Sequence, residues 1–206
     1  MKLFLQTSSG QPTLVLWDDA VIFEANYGKM QRLDYGAELT IALHKTNRSK
    51  TEIDGIIVDT GPGRLGSTRT AVAFANGLGF ALGVPLIPVN SVLLLGVYAE
   101  SIHSRPCLVL RSAARQQYHW ALVQGGKITE AGFAPDAVIT PSYSGPIAIA
   151  GDASPERATL QGLSDVKWLE LNAVPGAALS CLGSHLQPAS GPVVPLVDTA
   201  GLIPHG

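Results

Sequence analysis

Residues 58–69 read VDTGPGRLGSTR. A short continuous apolar run, IDGIIVDT over residues 53–60, leads into the stretch, and a long apolar segment follows over residues 67–82. That order predicts a buried strand, a sharp turn and a helix, the unit from which mixed α/β folds are built. Gly61, Gly63 and Gly66 fall at the G-x-G-x-x-G spacing of a dinucleotide cradle. That cradle follows the first strand of a βαβ unit and needs an acidic residue about 20 positions on for the ribose hydroxyls. Here three strand-like segments already precede IDGIIVDT, and no Asp or Glu occurs between Asp59 and Glu100. Pro62 removes a backbone donor from the turn, and no Gly-Lys-Ser or Gly-Lys-Thr follows as a P-loop requires. The stretch therefore reads as a tight strand-to-helix turn. Gly61 and Gly63 take backbone angles that other residues resist, and Ser67 or Thr68 caps the helix. Helix N-termini attract anions, and Arg64 and Arg69 add charge at this end. Asp59, closing the buried strand, either meets a ligand or caps the glycine turn.

Upstream, KLFLQT, TLVLWD and AVIFEANY are joined by SSGQP and DD, an antiparallel meander in outline. Residues 34–46 carry a helical pattern with Asp34 as N-cap. Downstream, residues 67–82 are apolar nearly all round, which predicts cover on more than one side. Ala71, Ala75 and Gly79 share one i, i+4 stripe, and Ala73 and Gly77 another, so a second backbone can come close. The helix at 34–46 and a partner subunit are both candidate covers. VPLIPV is a strand and residues 91–100 a helix.

The polar segment SIHSRP marks a boundary, giving two expected domains, 1–100 and 101–206. Beyond it CLVLRS, QQYHWALV and KITEAGF repeat the meander across a Gly125-Gly126 turn. GPIAIAGD and VKWLEL are further strands, residues 155–160 and 176–186 further helices, and residues 188–206 an extended Pro- and Gly-rich tail. The two halves thus suggest a duplicated architecture.

The chain has 206 residues, 46% of them hydrophobic and only 15% charged, enough to build a core without staples. A formal net charge of -2 gives no general attraction to a phosphate backbone. Cys107 and Cys181 are too few for a disulfide framework, and their apolar settings predict reduced, buried thiols in a reducing cytoplasm. No signal peptide is apparent in the first residues. Residues 70–99 carry no charge, but Asn76, Gly77, Gly79, Gly83, Pro85, Pro88 and Asn90 break the run too often for a membrane span. His44, His103, His119, His185 and His205 are dispersed; Cys181 and His185, four apart on an expected helix, do not close a metal site. No G-x-S-x-G elbow supports a serine hydrolase.

The order IDGIIVDTGPGRLGSTRTAVAFANGLGFALGVPLIPVNSV resembles the signature region of the TsaB (YeaZ) family. There a strand leads into Gly-Pro-Gly-Ser-Phe-Thr-Gly-Leu-Arg, a small-residue helix, GVPL and a Val-Ser-Ser-Leu turn. The matching residues are Gly61, Pro62, Gly63, Arg64, Leu65, Gly66, Ser67, Thr68 and Arg69. The opening meander, CLVLRSAARQQYHWALV (similar to the family's Leu-Asp-Ala-Arg and the strand after it) and IAIAGDA fall in the family's order too. Two elements depart from it: Gln6-Thr7 stands where the family has Asp-Thr, and MQRLDY replaces His-Ser-Glu.

The resemblance implies an actin/Hsp70/sugar-kinase-like α/β fold of two related domains with mixed sheets flanked by helices, the second domain reduced. It implies a non-catalytic, cytoplasmic subunit in making threonylcarbamoyladenosine at position 37 of tRNA. Such a subunit pairs with a TsaD-like transferase, which carries the ATP and metal, and is joined by a TsaE-like ATPase. This chain would bind no cofactor tightly, would meet tRNA only through the complex, and would form a homodimer when alone. The two N-terminal helices are the expected pairing face, with Leu39, Leu43, Arg69, Ala71, Val72, Ala75, Asn76 and Gly79 at the interface. A stable pair needs roughly 800 Å² per side. Two other readings remain open: a stand-alone ATP-dependent kinase of the same fold, and a plain protein-interaction module.

Overall fold

Apolar strands and tight turns make the opening meander: β1 (Lys2–Gln6), β2 (Thr13–Asp18) and β3 (Ala20–Asn26) pair antiparallel in succession. The structure is a computed structural model and describes residues 1–28, 31, 33–113, 117–153 and 158–197. β4 (Gly55–Asp59), buried at every position, lies parallel to β1, and β5 (Leu86–Val89) parallel to β4. The sheet order is β3-β2-β1-β4-β5.

Parallel neighbours need crossovers, and two helices supply them. In α1 (Tyr35–Thr46), Asp34 accepts the Ala37 amide at 3.0 Å, the N-cap bond its sequence predicts. α2 (Leu65–Leu82) ends at Gly83, whose φ of 67° is the left-handed C-cap. Both cover one sheet face, where Leu3, Leu5, Leu14, Leu16, Ile56 and Val58 meet Leu39, Leu43, Ala71, Val72 and Ala75. α3 (Ser91–His103), capped by Asn90, covers the other face.

The second half repeats the sheet. β6 (Cys107–Ser112), β7 (Tyr118–Gln124) and β8 (Lys127–Ala134) form an antiparallel meander; β10 (Ile147–Gly151) lies parallel to β6 and β12 (Val166–Trp168) parallel to β10. The order β8-β7-β6-β10-β12 matches the first sheet strand for strand and direction for direction. Where α1 and α2 stand in the first half, the described residues of the second form a two-stranded parallel ladder, β9 (Val138–Ile139) and β11 (Thr159–Leu160). A shared core joins the sheets: Phe4, Val15 and Ile57 of the first, Cys107, Val109 and Ala150 of the second, with Val92, Leu95 and Leu179 between.

Several sequence expectations shift. α2 begins two residues early, with Arg64 at the N-cap position and no side-chain cap bond. Ser67 and Thr68 therefore lie inside the first turn, and the Thr68 hydroxyl donates back to the Arg64 carbonyl at 3.0 Å. α3 runs past residue 100 to His103, so the passage into the second half falls at Ser104, whose φ is 52°. Residues 176–186 form two 3-10 turns, Gly176–Cys181 and Gly183–His185, because Gly183 at φ 43° interrupts the run. Cys181 and His185 consequently share no α-helical face. Of the helix expected at 155–160, residues 155–157 lie outside the described residues and Thr159–Leu160 is strand. Residues 114–116 of the CLVLRSAARQQYHWALV segment, Met30 and Arg32 of MQRLDY, and 198–206 of the tail, with His205, lie outside them too. The uncharged run 70–99 is divided among α2, β5 and α3, and no described helix is long and apolar enough to cross a membrane.

Candidate functional site

At the glycine turn, the buried Asp59 carboxylate organises two loops at once. Its Oδ2 accepts the Thr7 and Ser8 amides at 3.2 and 3.0 Å, and its Oδ1 accepts the Gly61 amide at 2.8 Å. The Arg64 amide donates to the Ser8 carbonyl at 2.9 Å. Gly61 sits at φ 95° and Gly63 at φ 154°, and a Cβ on Gly63 would collide with the Ser8 carbonyl. Pro62 is buried, and its carbonyl accepts the Ser91 hydroxyl at 3.2 Å. The Gly61 and Arg64 amides are thus engaged by the chain's own acceptors. Gln6 is fully buried; with its nitrogen toward the Gln11 carbonyl (3.2 Å) and its oxygen toward the Ser9 amide and hydroxyl (3.2 and 3.1 Å), the carboxamide closes the same loop. The Leu196 amide reaches the Thr60 carbonyl at 2.7 Å, bringing the C-terminal strap over the turn.

The expected interface residues divide. Leu39, Leu43, Ala71, Val72, Ala75 and Gly79 are buried within the chain, against its own sheet. Small side chains do permit close approach here, but what approaches is β4 and β5: a Cβ on Gly79 would stand 2.7 Å from Leu86 Cδ2. These residues are therefore corrected from partner contacts to core. Asn76 is half-buried and grips the strap, Nδ2 donating to the Val193 carbonyl and Oδ1 accepting the Val193 amide, both at 2.9 Å. Arg69 is exposed.

What α2 turns outward is the opposite stripe. Gly66, Thr70, Ala73, Gly77 and Phe80 are all exposed at alternating spacings of four and three, and Phe80 is 92% exposed. Ala37 and Ile41 are exposed on α1, which packs beside α2 through a Tyr35–Phe74 ring stack at 5.4 Å. A Cβ on Gly66 or Gly77 would touch nothing within 4 Å, so both positions open onto free space. Ala73 and Gly77 were legible as a stripe; Phe80 was not singled out, although it lies one turn beyond Gly77. Burial and the Asp59 charge push the Tyr35 phenol up to about 12.

The remaining chemistry is scattered. Cys107 is buried, and that burial, with Glu100, pushes its thiol up to about 12. Cys181 is only half-buried, its Sγ 3.5 Å from the Ser101 hydroxyl. A cavity of about 320 Å³ opens between the end of the first meander and residues 170–175, with Gln11, Glu24, Asn26, Tyr27 and Glu170 in its wall. A buried Arg111–Asp152 pair, whose only sequence signal is a charge inside CLVLRS, went unread.

Comparisons with known proteins agree with this architecture. The crystal structure of an uncharacterized protein with similarity to peptidase YeaZ from Pseudomonas aeruginosa is similar at a TM-score of 0.70 and 18% identity, covering 95% of this chain and 97% of that one. YeaZ from the same organism is similar at a TM-score of 0.67, again 18% identical, over 89% and 90% of the two chains. The fold is thus that of YeaZ: α/β, with mixed sheets flanked by helices. The tRNA N6-adenosine threonylcarbamoyltransferase of Chlorobium limicola is 41% identical over 51 residues, 25% of this chain. The match spans only 14% of that relative's length. A family model described as TsaD, tRNA N6-adenosine threonylcarbamoyltransferase, matches residues 37–188, more than half of the chain, and the chain belongs to that family.

Proposed function

We propose that this chain is a non-catalytic subunit in tRNA N6-threonylcarbamoyladenosine modification, working in the cytoplasm and pairing with a TsaD-like transferase. The observation that carries the reading is the outward stripe of α2. A row of small residues ending in a 92% exposed Phe80, beside the exposed Ala37 and Ile41 of α1, is a surface that another helix pair can approach closely. Membership of the transferase family and the YeaZ-like fold support the pathway. The same face would serve a homodimer in isolation, and a TsaE-like ATPase and tRNA would join through the complex. In this reading ATP and metal belong to the transferase partner. The engagement of the Gly61 and Arg64 amides within the chain supports a turn that shapes the helix rather than one that holds a nucleotide.

The test is co-purification of the tagged chain with the TsaD-like subunit of its own organism, alongside nucleoside analysis of tRNA after gene deletion. Phe80→Glu and Ala73→Arg should abolish capture without unfolding the chain. Normal threonylcarbamoyladenosine in the deletion strain, or undiminished capture by both variants, overturns the reading.

A further inference from the structure

Arg111 has no exposed surface, yet its guanidinium is only partly engaged. Nη1 donates to the Asn172 carbonyl at 2.6 Å and lies 3.7 Å from Asp152 Oδ1. Among the described residues, Nε and Nη2 have no hydrogen-bond partner, and neither has Asp152 Oδ1. Leaving a buried donor unmade costs about 1–3 kcal/mol, more when it is charged, so two on one guanidinium call for a physical reason. Nε and Nη2 form the side-on edge of the group, two parallel donors whose spacing matches the two oxygens of a carboxylate or phosphate.

The position of this edge is also informative. Arg111 lies near the carboxyl end of β6, and by the alternation of strand side chains it faces the same way as Cys107 and Val109, into the core shared by the two sheets. The crevice beyond the carboxyl ends of parallel strands is where open α/β sheets take ligands. Leu5 pairs with Val58 and Leu110 with Gly151, so Gln6 beside Asp59 is the first-half counterpart of Arg111 beside Asp152. In the first half the place is closed from within: Gln6 is satisfied by Ser9 and Gln11, and Asp59 by three amides. In the second half Asp152 Oδ2 accepts, among the described residues, only the Ser112 amide, at 3.1 Å, and a two-donor edge is left beside it.

We propose that Arg111 anchors a site for one small oxyanion, a carboxylate or a phosphate, at the carboxyl ends of β6 and β10. The neighbouring Asp152 opposes the anion and keeps its affinity modest. The site is independent of pairing, since none of its residues lies on α1 or α2.

Isothermal titration of the full chain with sodium phosphate and, separately, sodium citrate at constant ionic strength tests this. At least one anion should saturate a single site on the wild type; phosphate alone assigns a phosphate group, citrate alone a carboxylate. Arg111→Lys keeps the charge but loses the side-on edge and should weaken binding about tenfold. Asp152→Asn removes the opposing charge and should tighten it severalfold. Absence of saturable binding in both wild type and D152N overturns the proposal, as does equal binding by a folded R111K, which would mark an adventitious surface site. If R111K does not fold by circular dichroism, the tightening in D152N, where Arg111 is intact, decides.

Discussion

Asp59 and Asp152 occupy the same position in two copies of one strand arrangement. Each stands at the carboxyl end of a strand parallel to the first strand of its half, and each accepts an amide from the end of that first strand: Thr7, just after Gln6, at 3.2 Å for Asp59, and Ser112, just after Arg111, at 3.1 Å for Asp152. The repeated bond ties the meander of each half to its parallel layer. It is a more specific mark of duplication than any sequence identity between the halves.

Asp59 carries the heavier share, with three amides on a buried carboxylate. Asp59→Ala should destabilise the chain by about 3 kcal/mol, and Asp59→Asn by less, because an amide oxygen still accepts from part of the set. Urea unfolding measures both; a loss under about 1 kcal/mol for the alanine variant would remove Asp59 as the organiser of the turn.

The two stripes of α2 should respond oppositely. Gly79→Leu forces atoms against Leu86 and should cost about 1–3 kcal/mol of stability. Phe80→Glu, on the free face, should change stability by no more than about 0.5 kcal/mol while abolishing partner capture. Thermal denaturation run beside pull-down separates the effects, and a stable, pairing-deficient Gly79→Leu would reverse the assignment of faces.

Asn76 holds the strap by both polar groups of one backbone residue. Asn76→Ala should cost about 1–2 kcal/mol and raise hydrogen exchange at the Val193 amide well above wild type, with the α2 core amides unchanged. Unaltered exchange at Val193 would show that the Ala189 and Leu196 backbone bonds suffice.

Tyr35 supplies a pH signature. Its folded-state value of about 12 lies above the ordinary value of 10.0, owing first to burial and then to Asp59. The fold holds the neutral phenol, so this contribution is whole below about pH 10 and is lost as pH rises toward about 12. Tyr35→Phe cannot ionise there, and the stability gap between wild type and variant should shift against the wild type through that window. Cys107 and Tyr27, also pushed up, are common to both proteins and cancel in the comparison.

Much of the fold was legible because its signals are local. Short apolar runs bounded by turn residues marked β1 and β2, a continuous apolar run marked β4, Asp34 marked the start of α1, and the glycine turn marked the join of β4 to α2. The misread segment at 176–186 has helix-compatible residues but is broken by Gly183, and its apolar positions are drawn into the shared core as short 3-10 turns. The orientation of α2 was not legible, because an apolar stripe of small residues looks alike whether strands or a partner cover it.

By itself, then, the sequence determined the order of strands and helices in the first half, the tight passage through Gly61 and Gly63, and the failure of that passage to meet the requirements of a dinucleotide cradle. Those follow from backbone sterics and from side-chain periodicity, which act over a few residues. Only the tertiary structure decided that Ala71, Ala75 and Gly79 lie against the chain's own strands, that Phe80 faces outward, and that Arg111 meets Asp152 and Asn172. Each of these depends on contacts between residues distant along the chain, and burial is a property of the packed whole that no local pattern carries.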